Sequence, residues 1–491
     1  MTVTGTEQAR AEQARAEQAR AEPHARPRAG ARARGRATAG PSRGLRLGYA
    51  SGSLVTGTFT TLPGLLLLPY LTDTLGVGAA LAGAIVFLPK AWDALLNPVA
   101  GRLSDRTRTR WGARRPYVLG GGLAVAAGFA LTFAGLATGT AGAWCAAAGF
   151  LLTATAFAFF QVPYVAMPAE ITDRQEDRVR LVGGRVTFIG VAALVTGAAG
   201  PALVEAGGGG VAGHRWMGLF GAAVVAAGTL GVFLGTAAAP PGPVQRSEPS
   251  LRRQLAVARS SPPFMTLLRC ALVQSAASGV LIAGAPYVAD HVLPERLGIG
   301  PLVAAFVAPN LLTIGLWSRL GRRRGNRRGH AAASALFAAG CLVFLAAPVL
   351  PTPAVLLTMA LAGVGHAGQL LFLYAMLQDC IAADTARTSR RQAGVLSGVF
   401  TTVEGLGVAV GPFVYGLVLQ LSGYVSSGTG RAAEQSTTTG WGLLTGFAVL
   451  PALATAAAIA LLRGYDVQDS RRTRPPAEPE PRTDPPTKPH P

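Results

Sequence analysis

The sequence predicts an all-α polytopic membrane protein of about twelve helices, and three observations carry the prediction. Of its 491 residues, 50% are hydrophobic and only 14% are charged, where a soluble domain carries about 25% charged residues. The apolar residues come in blocks of roughly 20 to 28, and about 20 span a bilayer. Arginines gather in every second link between those blocks, which is what the positive-inside rule produces.

Taken in order, residues 1–45 form a basic tail. Its Glu-Gln-Ala-Arg-Ala pentads run from Glu7 to Glu22 without the period of a core-burying face or the apolar stretch of a signal peptide. Disorder on the cytoplasmic side is expected there. Six helices follow near 46–72, 79–103, 116–137, 141–168, 183–204 and 215–238. A second six fall near 263–289, 299–319, 331–350, 353–378, 393–421 and 438–463. The arginine-rich links carry Arg106, Arg108, Arg110, Arg114 and Arg115, then Arg174, Arg178 and Arg180, then Arg246, Arg252, Arg253 and Arg259. They continue with Arg322, Arg323, Arg324, Arg327 and Arg328, then Arg387, Arg390 and Arg391. The intervening links 73–78, 138–140 and 351–352 are almost free of basic charge, so both termini are expected in the cytoplasm. A cytoplasmic linker at 239–262 separates an N-terminal bundle, 46–238, from a C-terminal bundle, 263–463, and residues 464–491 form a second polar tail. An echo between 101–110 and 318–327 fits parallel six-helix repeats with a site between them near mid-membrane.

The net charge of +20 therefore belongs to topology, and no nucleic-acid partner is expected. No phosphate-binding loop is present, which argues against an ATP-driven pump. The four cysteines, Cys145, Cys270, Cys341 and Cys380, read as apolar packing residues. Neither a cofactor nor a catalytic site is expected, and membrane lipids are the partners that composition implies.

Within the second helix the stretch Lys90-Ala-Trp-Asp-Ala-Leu-Leu-Asn-Pro98, with Gly101 and the run Asp105 to Pro116, is distinctive. So are Tyr70-Leu-Thr-Asp-Thr-Leu-Gly76, Val162-Pro-Tyr-Val-Ala-Met-Pro168 and Gly394 through Gly411. Together they resemble the glycoside–pentoside–hexuronide:cation symporters of the major facilitator superfamily, over roughly 46–463. The resemblance implies two six-helix bundles of the major facilitator fold rocking about a central site. It also implies secondary active transport of a sugar-like solute with H+ or Na+.

A carboxylate at mid-membrane depth faces a cavity or a partner, and Asp93 is the first candidate for coupling. Lys90, Asp93 and Asn97 share one helix face. Asp93 matches a cation-binding aspartate of the family, while the family's second aspartate is here Asn97, with one charge fewer. That deficit favours a proton over sodium. The alternative reading of Asp93 is an ion pair with Lys90 that holds the helix. The family's sugar-binding acids align with Gly57 and Gln161, so a galactoside of the well-studied kind is not expected. Gln161, Lys90, Thr56 and Thr60 remain candidate cavity residues, although such threonines also bond back to their own helix. Arg185 matches a family arginine near the cavity, or else snorkels to the interface. Glu404, mid-way along the eleventh helix where the family often has lysine, is a second coupling candidate, a structural hydrogen-bonding group or the partner of Lys90. Asp105, Arg106, Arg110, Arg114 and Arg115 match the family's cytoplasmic gate. Gln274, Asn310, His366 and Gln369 read as interhelix hydrogen-bonding groups. Three other functions stay open: an exporter of a natural product or drug, a carrier of a lysolipid-like amphiphile, and a receptor or scaffold that moves nothing.

Overall fold

A computed structural model describes residues 40–239 apart from 173, and residues 256–293, 297–388, 393–427 and 434–465. The tails 1–39 and 466–491, most of the linker (240–255), Arg390, Arg391 and the Asn310 side chain lie outside the described residues.

Among the described residues twelve helical runs alternate across the bundle. The first, α1, is broken: Arg43–Ser51 and Ser53–Leu62 are α-helical, then Pro63–Leu67 and Tyr70–Thr74 widen into π turns. Prolines 63 and 69 cause the widening, since each lacks the N–H that an α turn requires. The remainder are α2 (Ala79–Arg106), α3 (Arg115–Thr132), α4 (Gly139–Ile171), α5 (Gln175–Ala206) and α6 (Gly210–Gly235). In the second half come α7 (Pro262–His291), α8 (Ile299–Arg324), α9 (Asn326–Val343), α10 (Thr352–Thr388), α11 (Ala393–Leu421) and α12 (Thr437–Leu461). Ten of these runs are long and apolar enough to cross a membrane unaided by context. The other two are α1, whose pieces are short, and α3, which spends its first turn on Arg115, Pro116 and Tyr117.

Several boundaries differ from the hydropathy reading. Helix α5 starts at Gln175, eight residues before 183, because Glu176 and Asp177 suit the positive end of a helix dipole. Helix α10 runs ten residues past 378, capped by an Asp384–Arg387 pair at 2.7 Å. Helix α3 stops at Thr132 rather than 137, because Gly135 takes φ +59°, a conformation that only glycine adopts cheaply.

Packing pairs repeat with a shift of six helices. Helix α1 packs on α5 and α6, α2 on α4, and α3 on α4 and α6. Correspondingly, α7 packs on α11 and α12, α8 on α10, and α9 on α10 and α12. Small residues permit the closest crossings, as at Gly279 on α7 and Gly411 on α11, where a Cβ would collide with the opposing backbone.

The two halves meet through α2 with α11, α5 with α8, and the π turns of α1 with α7. Several close contacts across these crossings lie toward the arginine-poor end. A Cβ on Gly83 would stand 3.0 Å from the Pro412 carbonyl, and the Phe87 and Phe413 rings are 5.9 Å apart. Gly197 of α5 faces Val303 of α8 at the same end. Toward the arginine-rich end the positions of Gly398 and Gly405 on α11 open onto empty space. Those close contacts join the two halves at the arginine-poor end.

Candidate functional site

Helix α2 carries the candidate coupling residues past the point where it leaves α11. Pro89 leaves the Ile85 carbonyl without its helical donor one turn before Lys90, which is tolerated at this depth where the helix lines a cavity. Lys90 donates to the Phe59 carbonyl at 3.3 Å and sits 3.6 Å over the Phe59 ring. Asp93 is within electrostatic reach of Lys90, yet the two make no ion pair. The Oδ1 atoms of Asp93 and of Asn97, one turn apart, are both shielded from solvent and without a hydrogen-bond partner. Two orphaned acceptors on one face are costly, at about 1–3 kcal/mol each.

The α1–α4 seam holds the uncharged candidates. Thr56 donates to Gln161 Oε1 at 2.7 Å, and a chain from Ser53 to the Tyr164 hydroxyl (2.7 Å) and on to the Tyr49 carbonyl (2.8 Å) continues it. Thr60 is exposed and bonds back to the Thr56 and Gly57 carbonyls. Gly57 faces elsewhere: a Cβ there would stand 2.5 Å from Ala192 Cβ and 2.9 Å from the Ile189 carbonyl. Helix α5 leaves no room at 57 for a larger side chain, so the glycine is required by packing as well as lacking a carboxylate.

Arg185 lies ten residues into α5, about 15 Å of helix rise from its start. Its guanidinium stands 5.9 Å from the Tyr164 ring centre, and its charge reaches Tyr49 on α1 and Tyr374 on α10. Arg185 Nε is shielded and unbonded, and no carboxylate pairs with it among the described residues. Glu404 accepts from the Tyr374 hydroxyl at 2.7 Å. It is therefore not the partner of Lys90, which binds within its own half.

The five gate candidates do not act as one unit. Arg114, 5% exposed, pairs with Asp105 at 3.4 Å and with Glu170 at the end of α4. Arg115 donates to the Phe233 carbonyl at 2.6 Å and stacks on its ring, fastening α3 to α6. Arg110 covers only its neighbour Trp111, and Arg106 is exposed. Every bond these side chains make stays within the first six helices. The corresponding joint of the second half is uncharged on one side: Asn326 donates to Asp379 of α10 at 2.9 Å.

Sequence reasoning missed Glu170, and it missed the bonds that join the halves. Tyr424 donates to Asp73 at 2.6 Å and contacts His291 Nε2 at 3.1 Å. Thr72 and Tyr287 share a 2.8 Å hydrogen bond, and Ser426 and Ser427 donate to the carbonyls of Val77 and Asp73. A signal existed, since Thr72 and Asp73 are polar residues inside the distinctive 70–76 stretch. Gln274, His366 and Gln369 join His330, Ser334 and Ser278 in a buried network across α7, α9 and α10, with Gln274 and His330 2.6 Å apart.

Residues 48–469 match the family described as MFS/sugar transport protein. The chain belongs to that family. The glycoside–pentoside–hexuronide type read from residues 90–116 also stands, and the protein is a multi-pass secondary transporter rather than an enzyme. It is 25% identical over 396 residues to the glucuronide carrier protein homolog of Escherichia coli, covering 78% of this chain and 84% of that one. It is 26% identical over 450 residues to the putative glycoside/cation symporter YagG of Escherichia coli, covering 87% and 92%. Among solved structures, the nucleoside transporter NupG superposes with TM-score 0.60 at 15% identity, covering 86% of this chain and 98% of that one. An inward-facing, unoccupied bacterial homologue of the human lysosomal transporter Spinster gives TM-score 0.60 at 17% identity, covering 87% and 96%. These two likenesses establish the facilitator fold alone.

Proposed function

We propose that this transporter moves a carboxylate-bearing, sugar-like solute together with a proton across a bacterial inner membrane by alternating access. The observation that carries the coupling reading is the pair of unpartnered Oδ1 atoms on Asp93 and Asn97. One proton on Asp93 converts an acceptor into a donor, and Asn97 supplies an acceptor one turn away. Sodium favours several oxygens and more negative charge, and Asn97 contributes none of the latter. Glu404, held by Tyr374 on the other half, is the candidate second acidic group.

The solute class rests on Arg185 and Lys90, two cations that make no ion pair among the described residues, although Asp93 lies within electrostatic reach of Lys90. A uronide-like solute would supply a carboxylate and hydrogen-bond through its hydroxyls to the Thr56–Gln161 pair. The name of the glucuronide carrier relative agrees with this class. With the arginine-rich end assigned to the cytoplasm, and with it both termini, the bundle described above is the inward-facing state.

The test is uptake of a labelled glucuronide into right-side-out vesicles, with a pH gradient or a sodium gradient imposed separately. Accumulation should follow the pH gradient, and Asn97→Asp should add a response to sodium. Wild-type uptake that follows sodium and ignores pH would overturn the proton assignment.

A further inference from the structure

A pocket away from the proposed transport site lies between the arginine-rich ends of α9 and α12. It encloses about 310 Å³ and is lined by Arg327, Arg328, His330, Ala331, Ile459, Leu462 and Arg463. Three guanidinium groups line this one space, and none has an ion-pair partner among the described residues. All three arginines are exposed, so water screens part of their mutual repulsion, and an anion seated among them would relieve the rest. The pocket also opens at the first turn of α9, where the helix dipole adds to the preference.

The remaining wall is apolar, and this decides what kind of anion fits. Ala331, Ile459 and Leu462 would gain nothing from a hydrated free ion. Along α9, Ala335 and Leu342 continue the stripe that begins at Ala331; both are exposed, Leu342 by 47%. A phosphate held at the arginines would leave attached acyl chains lying along these residues. Basic pockets between helices at the membrane boundary take anionic lipid headgroups on this principle.

We propose that the α9–α12 pocket is a binding site for the phosphate headgroup of an anionic phospholipid. The site is independent of the solute cavity and does not depend on the proposed coupling ion. Arginine near an anionic lipid contributes about fivefold in affinity per residue. Replacing all three therefore weakens binding on the order of a hundredfold.

The full-length protein, purified in detergent, is titrated with phosphatidylglycerol, with phosphatidylcholine and with inorganic phosphate, and lipid retention is read by native mass spectrometry. Phosphatidylglycerol should be retained by wild type and lost from R327Q/R328Q/R463Q, while phosphatidylcholine is retained by neither. Single R463Q serves as the milder variant should the triple change impair folding, with an expected loss of about fivefold. R322Q/R323Q/R324Q, which changes exposed arginines outside the pocket, should behave as wild type. Equal retention by the pocket variants overturns the proposal, as does an equal loss from the exposed-arginine control. Saturation by inorganic phosphate with unchanged lipid retention assigns the pocket to a free anion and overturns the lipid reading.

Discussion

The Tyr424 hydroxyl donates a 2.6 Å hydrogen bond to the Asp73 carboxylate, tying the segment after α11 to the last turn of α1. His291 of α7 braces the same hydroxyl at 3.1 Å. This bond joins the two halves at the end where they touch, and it must break for that end to open. A buried hydrogen bond is worth about 1 kcal/mol, a factor of about five in an equilibrium. Tyr424→Phe should therefore shift the population toward opening at the arginine-poor end by about fivefold. Labelling of a cysteine at Phe87 by an impermeant thiol reagent added outside measures the shift. An unchanged labelling rate would remove Tyr424 from the closure.

Asp93→Asn should abolish uphill accumulation and leave the protein folded in the membrane. The amide retains the size of the side chain but neither takes up nor releases a proton. Solute exchange across vesicles at equal concentrations should persist, because it does not return an empty carrier. Accumulation at the wild-type level in the variant would place coupling elsewhere, with Glu404 the next candidate.

Arg185→Gln should separate charged from neutral solutes. The guanidinium has no carboxylate of its own, so its loss costs a uronide a charge-assisted bond, about 1.5–3 kcal/mol or on the order of tenfold or more in KM. The corresponding neutral glycoside should be little affected. The comparison is made by competition for uptake, and equal loss for both solutes would make Arg185 a structural residue.

Arg114→Gln should lower thermal stability rather than alter solute preference. Removing it leaves Asp105 and Glu170 as neighbouring carboxylates without their cation, a loss of about 3 kcal/mol for a buried pair. Unfolding in detergent, followed by fluorescence, should show a clearly reduced midpoint, and a wild-type midpoint would make the pair dispensable. Arg106→Gln, changing an exposed residue, should leave the midpoint in place.

The sequence by itself determined that the chain crosses a membrane about twelve times, because block length and arginine spacing are one-dimensional properties. It also placed Lys90, Asp93 and Asn97 on one face of α2, since the 3.6-residue period is local. Only the tertiary structure decided what those groups meet. Lys90 turned to Phe59 and Glu404 to Tyr374, choices set by which helices lie within a side chain's reach. Position 57 is closed because α5 presses on it, a fact of packing that no spacing within α1 contains. The bonds from Tyr424 to Asp73 and from Arg114 to Glu170 link residues 351 and 56 positions apart. Such partners are selected when helices dock, since a hydrogen bond needs two groups within about 3 Å and a sequence specifies distance only along the chain.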